Sequence, residues 1–467
     1  MFYCYLFFNP YEVIYKNNFY FELILKIKMS IVATSQHISE ELETKIIKEV
    51  FVKKIEGNTF SKFVKQKETI IQPYRTSPDG SKVYLPFRWA LENIPTISRP
   101  NRNLLSTISP LSKFNTTLRS VQQEIKEECI SLLNKKGCVL ISLYPGAGKT
   151  CLSIYLASKI GLKTLIICHR LVLIEQWKKA IDRFVDHPRI GFIKSGLSPK
   201  KLESEKNKDF LLINAQNVKK LGEEFFKDIG LIIIDEIHAI MAESLSECMY
   251  HLTPRYIIGL SATPNRPDGL DGLLNFYFGQ DKITRELYHP HDVYKINTRI
   301  EYEEDSKTQW SAMITSQCLH EKRNNLIVDI ILHFKDRHFL VLCKRVEQAK
   351  YIASKLEEEK ENVSVMTEDT NDFDEHSRII VASIQKCGVG FSHDILDALI
   401  LASDVEEYFI QYLARVMRTE QVKPIVFDIV DDHKSLKKHF STRKKIYTQS
   451  GGVIKDFYKE FPSFVQI

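Results

Sequence analysis

A glycine-rich octapeptide, Leu143-Tyr-Pro-Gly-Ala-Gly-Lys-Thr150, has the residue types and spacing that phosphate binding requires. Its glycines allow backbone N–H groups to curl closely around a phosphate. Lys149 can reach the β- and γ-phosphates of a nucleotide, and the hydroxyl of Thr150 can bind Mg²⁺. The general pattern begins with Gly, where this chain has Leu143. The residues expected to bind the nucleotide phosphates are Gly146, Ala147, Gly148, Lys149 and Thr150.

Two adjacent carboxylates, Asp235 and Glu236, directly follow the apolar run 231–234. Because ligands bind at the carboxyl edge of a parallel sheet, a strand ending in this way would present both side chains to a ligand. We expect Asp235 to hold Mg²⁺ and Glu236 to orient and deprotonate an attacking water. An acidic pair after a strand is often only a surface feature, but the phosphate-binding loop upstream favours the catalytic interpretation.

A third candidate group lies much further along the chain, at Gln411, Arg415 and Arg418. Since the two arginines are three residues apart, the spacing predicts that they share one face of a helix. Guanidinium groups aimed at a developing phosphoryl charge stabilise the transition state of phosphoryl transfer. For an isolated pair of this kind, a solvated helix face is the alternative interpretation.

Short apolar runs, rich in β-branched residues, alternate with helix-like stretches from about residue 118 onward. Because runs that are apolar on both faces are typical of parallel strands covered by helices, the pattern predicts an α/β fold. The pattern breaks around residues 288–305, which predicts two lobes, 116–287 and 306–467. The runs span residues 139–143, 164–168, 210–214, 231–234, 256–260, 339–343, 378–382, 399–402 and 424–428.

The N-terminal part of the chain does not follow this alternation. Residues 29–115 predict a small accessory domain that ends in a linker rich in Pro, Asn and Ser. Residues 1–28 are crowded with Phe and Tyr, yet they lack the basic start and small-residue cleavage site of a signal peptide. We expect residues 1–28 to be a non-native or disordered extension, with Met29 as the native start.

Composition places the chain among ordinary globular proteins. Of its 467 residues, 44% are hydrophobic and 27% are charged, which excludes fibrous and intrinsically disordered classes. No apolar run approaches the roughly 20 residues that span a membrane, so no membrane partner is expected. The nine cysteines form no CxxC pair, and an odd number predicts reduced thiols in an intracellular compartment, the cytoplasm or the nucleus.

The net charge of +6 conceals a strong asymmetry along the chain. Residues 51–200 carry a net charge of +15, whereas residues 201–400 carry −10. Such a distribution favours a polyanion held on one side of the protein. We therefore expect added salt to weaken nucleic-acid binding, and removal of residues 51–115 to weaken it further.

The run Asp235-Glu-Ile-His238 is a DExH box, and with the phosphate loop upstream the chain resembles a superfamily 2 helicase or nucleic-acid translocase. Further segments follow in the family's order across residues 118–428. The resemblance implies two tandem RecA-like P-loop NTPase lobes, with ATP and Mg²⁺ as cofactors and ATP hydrolysis as the activity. It also implies movement on nucleic acid, with DNA favoured over RNA, and contact with transcription or replication machinery.

The resemblance further implies roles for single residues. Gln122 would contact the adenine, while Arg170 and Gln216 would contact the sugar-phosphate track. Capping or a surface ion pair is an equally good interpretation of Arg170. The implied catalytic set is Lys149, Asp235, Glu236, Gln411, Arg415 and Arg418. The residues implied to couple hydrolysis to movement are His238, Ser261, Thr263, Gly388 and Gly390.

The segment 261–269, Ser-Ala-Thr-Pro-Asn-Arg-Pro-Asp-Gly, resembles DNA translocases of transcription, repair and branch migration. It also resembles late-transcription helicases of large cytoplasmic DNA viruses, which would place the protein in a host cell or virion. Ser392 stands where the family often has an acidic residue, which puts the ribose contact there in question. The alternatives are an RNA helicase, a non-catalytic helicase-like scaffold, and an ATPase of another P-loop family.

Overall fold

The computed structural model describes residues 30–34, 37–56, 67–77, 82–240, 252–261, 271–302, 310–367, 374, 376–388, 393–406, 409–418 and 422–467. The strands are β1 (Ser30–Thr34), β2 (Val52–Glu56), β3 (Lys67–Ile71), β4 (Arg75–Thr76), β5 (Lys82–Pro86), β6 (Cys138–Leu143), β7 (Thr164–Cys168), β8 (Ile190–Ile193), β9 (Phe210–Asn214), β10 (Leu231–Ile234), β11 (Tyr256–Ser261), β12 (Lys282–Arg285), β13 (His291–Glu301), β14 (Phe339–Cys343), β15 (Val363–Met366), β16 (Ile379–Ser383), β17 (Ala398–Leu401), β18 (Ile425–Asp432) and β19 (Gly452–Asp456).

The helices alternate with these strands through both lobes. They are α1 (Glu40–Glu49), α2 (Phe87–Asn93), α3 (Ser120–Lys136), α4 (Lys149–Ile160), α5 (Leu171–Phe184), α6 (Pro199–Lys206), α7 (Ala215–Leu221), α8 (Glu223–Phe226), α9 (Ile237–Ile240), α10 (Asp271–Phe278), α11 (Trp310–Leu319), α12 (Glu321–His333), α13 (Val346–Glu358), α14 (Ile384–Gly388), α15 (Phe409–Leu413), α16 (Lys434–Gln449) and α17 (Phe457–Glu460).

The first lobe is built on a seven-stranded sheet in the order β12-β6-β11-β10-β7-β9-β8. All of its pairings are parallel. Every residue of its strands β6, β7, β10 and β11 is buried, because helices cover both faces of the sheet. The strand ends that carry the phosphate loop and the DExH box therefore meet along one edge.

The second lobe contains another seven-stranded parallel sheet, in the order β15-β16-β14-β17-β18-β13-β19. The predicted fold class, two tandem α/β lobes with parallel sheets, is confirmed. The predicted break at 288–305 differs from the structure, because the 11-residue strand β13 lies there and pairs with β18 and β19. The sequence pattern did not indicate this strand, because charged residues interrupt its apolar run. In the structure Asp292 is paired with Lys423 and Lys455, while Val293 and Ile296 are buried.

The N-terminal region shares the core of the first lobe rather than forming a separate domain. β1, β5 and β4 form an antiparallel sheet, and β2 pairs with β3. Phe87, Trp89 and Ala90 of this region are buried in one apolar cluster. The same cluster contains strand residues of the first lobe, such as Ile232 and Ile257. The expected accessory domain is thus an integral part of that lobe, since its apolar residues face the same core.

The predicted linker is an extended segment whose arginines cap helices of the first lobe. The guanidinium of Arg99 donates hydrogen bonds to the carbonyl oxygens of Leu133 and Asn134, at the end of α3. Arg102 donates to the carbonyl oxygen of Ile160, the last residue of α4. Some of the positive charge counted in residues 51–115 therefore serves helix C-termini. Deletion of that segment would uncover the core, so it is not a specific test of nucleic-acid binding.

Within the described part of the chain, no helix combines the length and the apolar character needed to cross a bilayer.

Candidate functional site

The phosphate-binding loop joins β6 to α4 and depends on two glycines with left-handed backbone angles. Gly146 and Gly148 have φ values of 87° and 81°. A Cβ atom on Gly148 would clash with Nε2 of Gln122, so a side chain there would displace the amide that is hydrogen-bonded to the loop. The loop thus needs glycine here for both its conformation and its packing.

Gln122 is hydrogen-bonded to this loop. Its side chain is buried, and its Nε2 donates hydrogen bonds to the carbonyl oxygens of Ala147 (3.2 Å) and Gly148 (2.9 Å). Its Oε1 accepts a hydrogen bond from the backbone N–H of Arg119 at 2.8 Å. The structure therefore shows Gln122 as a support of the loop, and its contact with adenine stays a prediction.

Lys149 begins α4, and its ammonium donates a 2.9 Å hydrogen bond to the carbonyl oxygen of Leu143. Burial lowers the pKa of Lys149, although the nearby carboxylates of Glu236 and Asp235 act in the opposite direction. The unusual first residue of the motif, Leu143, thus contributes through its backbone carbonyl, which any residue at this position would provide. Thr150 follows in the first turn of α4, where its hydroxyl can face a bound metal ion.

Asp235 lies at the carboxyl end of β10, where it is buried. Its Oδ2 accepts a 2.9 Å hydrogen bond from the indole Nε1–H of Trp177, and its Oδ1 accepts the backbone N–H of Glu236 at 3.0 Å. Burial, followed by the charge of Glu236, raises the pKa of Asp235. A divalent cation would oppose that effect, because it favours the ionised carboxylate.

Glu236 has a backbone φ of +47°, a left-handed angle that costs energy in any residue with a side chain. Its Oε2 lies 3.4 Å from Nδ1 of His238, and the same nitrogen lies 3.1 Å from Oγ of Ser261 at the end of β11. Three predicted site residues, at or just after the carboxyl ends of the neighbouring strands β10 and β11, are thereby brought together. The strained backbone at Glu236 accompanies a carboxylate placed next to His238.

The arginines of the second lobe follow α15 instead of lying on it. That helix ends at Leu413, and the backbone N–H of Arg415 donates to the carbonyl oxygen of Tyr412 in a tighter i→i−3 turn. The predicted shared helix face is therefore wrong for Arg415 and Arg418, because the chain leaves the helix before reaching them. Gln411 remains on α15, where it is half-buried.

The turn after α15 meets the phosphate loop of the first lobe. A Cβ atom on Gly146 would lie 3.3 Å from Nε of Arg418 and 3.5 Å from the carbonyl oxygen of Ala414. Arg418 also forms an ion pair with Asp394 at 3.1 Å. Burial lowers the pKa of Arg415, and the negative charge of Glu236 works against that shift. Groups from both lobes therefore converge on one phosphate-binding loop.

The predicted nucleic-acid contacts lie on adjacent strand ends of the first sheet. Arg170 follows β7 and Gln216 follows β9, and both side chains are exposed. The two loops are joined, because Nδ2 of Asn214 donates to the carbonyl oxygen of His169 at 3.2 Å. Gly388 ends α14, after β16. Thr263 and Gly390 lie outside the described residues.

Trp177 is a site residue that the sequence analysis missed. Its side chain is fully buried on α5, the helix that begins directly after Arg170, and its indole donates to Asp235. The signal was a tryptophan in an otherwise apolar helix face, because a buried indole N–H almost always has a hydrogen-bond partner. The sequence alone does not reveal which acceptor it meets.

These residues fit a bound Mg·ATP. The loop offers backbone donors in a cradle that a Cβ atom would fill, next to Lys149. Thr150 and Asp235 supply the hard oxygen ligands that Mg²⁺ prefers. The residues that would hold the triphosphate and the metal ion are Gly146, Ala147, Gly148, Lys149, Thr150 and Asp235.

The first lobe has a parallel sheet, a phosphate loop and paired carboxylates, and it faces arginines from a second lobe with a parallel sheet. This arrangement defines a two-lobed P-loop NTPase.

Residues 115–266 match the family "Type III restriction enzyme, res subunit". The chain is 37% identical over 403 residues to helicase 161L of Invertebrate iridescent virus 6, covering 80% of this chain and 89% of that protein. It is 27% identical over 390 residues to helicase 055L of Frog virus 3, covering 81% and 88% respectively. The chain belongs to the superfamily 2 helicases.

The fold has a solved counterpart in Dbp5 of S. cerevisiae bound to RNA and ADP BeF3. The two chains are 13% identical, the TM-score is 0.50, and the match covers 73% of this chain and 92% of that one. At this level of identity the similarity shows the two-lobed fold alone.

Proposed function

We propose that the protein hydrolyses Mg·ATP between its two lobes and uses the cycle to move along nucleic acid, preferring DNA. The observation that carries the proposal is the convergence of both lobes on the loop at Gly146. Lys149 and Glu236 belong to the first lobe, whereas Arg415 and Arg418 belong to the second. Because the catalytic set is complete only when the lobes meet, hydrolysis and lobe movement are coupled.

Each part of this chain has a distinct role in the proposed cycle. Bound Mg·ATP supplies the phosphoanhydride and an ion that neutralises phosphate charge. Lys149 and the loop N–H groups orient the phosphates, and Glu236 orients and deprotonates the water. Arg415 and Arg418 stabilise the charge that develops on the γ-phosphoryl group. Lobe opening after hydrolysis releases the products and changes the grip on the strand.

The preference for DNA is supported by the segment 261–269, which resembles that of DNA translocases. We propose a role in viral transcription, replication or repair on the same basis. RNA unwinding is the second candidate, because a relative in Acanthamoeba polyphaga mimivirus, L396, is named an ATP-dependent RNA helicase. That relative is 26% identical over 371 residues.

The deciding experiment measures ATP hydrolysis with and without nucleic acid for the wild type and Lys149→Ala. We expect stimulation of the wild type by DNA and loss of activity in the variant, because the lysine stabilises the phosphates. Lys159→Ala, an exposed lysine on the same helix, is the matched control and should behave as wild type. Equal activity of Lys149→Ala and wild type would overturn the proposal, and absence of hydrolysis in both would favour a non-catalytic scaffold.

Substrate choice requires a separate experiment. Strand displacement on duplex DNA, duplex RNA and branched DNA should be compared with ATP and with a non-hydrolysable analogue. We expect ATP-dependent activity to be highest on DNA. Displacement of RNA alone would replace the DNA proposal with the RNA one.

A further inference from the structure

Trp310 differs from the other two tryptophans of the chain in its exposure. Trp89 and Trp177 are buried, with 7% and 1% of their surface accessible, whereas 42% of Trp310 is accessible. Trp310 is the first residue of α11. A large aromatic ring left this open is a recognised feature of binding surfaces.

The helix that carries Trp310 lies over the carboxyl ends of the second sheet. Arg345, which follows β14, donates a 3.0 Å hydrogen bond from Nη2 to Oγ of Ser311. The backbone N–H of Asp404, which follows β17, donates to Oε1 of Gln317 at 3.2 Å. Trp310 therefore lies along the edge at which parallel α/β sheets bind their ligands.

The surroundings of the indole combine histidines and lysines with carboxylates, and Asp432, next to His433, is already paired with Lys437. Its ring centre lies 5.5 Å from that of His439 and 6.3 Å from that of His433, both from α16 or its cap. Lys434 and Lys438 of the same helix are exposed. On the acidic side, Asp404 is buried beneath His439, and Glu406 lies 3.4 Å from the His439 Nε2.

We propose that Trp310 and the exposed lysines of α16 form a second-lobe site for single-stranded nucleic acid. A nucleobase would stack on the indole, while Lys434 and Lys438 would contact the flanking phosphates. The combination of a partly exposed aromatic ring and adjacent cations is the chemistry by which proteins bind single strands without sequence preference. An acidic or purely apolar protein partner would use only one half of this surface. The inference rests on the proposed function, because it adds a contact to the same track.

Fluorescence gives the most direct test. Titration of the full-length protein with single-stranded oligo-dT of about 20 nucleotides, enough to span such a site, should quench tryptophan emission. The quenching should vanish in Trp310→Phe, because the two remaining tryptophans are buried. Quenching that persists in Trp310→Phe would overturn the proposal.

Affinity measurements complete the test. Trp310→Ala should bind oligo-dT about tenfold more weakly than wild type, and Trp310→Phe, which keeps a stacking surface, should recover most of that loss. Tyr288→Ala, an exposed aromatic residue outside this surface, is the matched control and should bind normally. Lys438→Ser should reduce the salt dependence of binding by about one counterion.

The same data separate this inference from the proposed function. Unchanged affinity in Trp310→Ala, with ATP hydrolysis still stimulated by DNA, would overturn the site and leave the proposed function intact. Failure of the wild type to bind any nucleic acid would overturn both.

Discussion

The two lobes share one architecture, but the buried charges on β18 of the second lobe are held in ion pairs, whereas Asp235 and Lys149 at the phosphate site of the first lobe are held by neutral hydrogen-bond partners. In the second lobe, Arg323 and Asp431 are both fully buried and lie 3.0 Å apart. Arg443 is held in the same way by Asp428 and Asp404. In the first lobe, Asp235 instead accepts N–H groups from an indole and the backbone, and Lys149 donates to a carbonyl oxygen.

This difference separates a lobe that is complete by itself from one that is organised for a ligand. Gln317 and Thr298 add hydrogen bonds of 2.7 Å each to Asp431, so its charge is fully compensated. In the first lobe, burial raises the pKa of Asp235 and lowers that of Lys149, so both charged forms are disfavoured. A metal ion and phosphates would restore them. Ligand binding should therefore stabilise the first lobe far more than the second.

The largest expected effect comes from a second-lobe residue that acts on the first lobe. Arg415→Ala should lower kcat for ATP hydrolysis by about 10³-fold or more, roughly 4 kcal/mol, because an arginine finger is lost. Steady-state hydrolysis and nucleotide binding would be measured together, with binding largely retained. Arg299→Ala, an exposed arginine of the same lobe, should be neutral. A fall of less than tenfold would remove Arg415 from the catalytic set.

The contrast in buried charge is tested by a pair of Asp→Asn variants. Asp431→Asn should lower the free energy of unfolding of the second lobe by about 3–5 kcal/mol, because Arg323 would remain buried without a counter-charge. Asp235→Asn should leave the apparent Tm unchanged or raise it, since burial already disfavours the ionised form, while abolishing hydrolysis. Thermal melts of both variants without nucleotide check this. Equal destabilisation would contradict the difference between the lobes.

A smaller effect is expected for the residue that orients Asp235. Trp177→Phe removes the hydrogen bond to Asp235 and should raise the Mg²⁺ concentration for half-maximal ATP hydrolysis about 10- to 100-fold, as such supporting partners do. Direct titration of Mg²⁺-dependent nucleotide binding gives a second readout. Trp89→Phe, which alters a buried tryptophan in the other apolar cluster of the first lobe, should lose comparable stability without changing the Mg²⁺ requirement. A shift of equal size in both variants would indicate a packing role only.

The same contrast explains what could be predicted from the sequence. The phosphate loop and the strands β6, β7, β10 and β14 were predictable, because their residues interact with near neighbours or are uniformly apolar. Strand β13 was not, because the partners of Asp292 come from Lys423 and Lys455, far away in the chain. The hydrogen-bond acceptor of Trp177 and the packing of Phe87 in the core of the first lobe could not be predicted either, because their partners are also distant in the sequence.

The smallest expected effect concerns Asp292, whose ion pairs with Lys423 and Lys455 are partly exposed, in contrast to the buried ion pair of Asp431 with Arg323. Burial acts to raise the pKa of Asp292, but hydrogen bonds and charge from Lys423 and Lys455 outweigh it and lower the pKa overall. A lowered pKa means that stability is present above the unfolded value, about 4, and is lost as pH falls through the folded value. Asp292→Asn should therefore cost less than about 1 kcal/mol at pH near 7, because both lysines are partly exposed to solvent. That cost should shrink on acidification below about pH 4, which apparent Tm values across pH would show. Asp336→Asn, at an exposed carboxylate, should show little change, and a pH-independent loss at Asp292 would contradict the ion-pair interpretation.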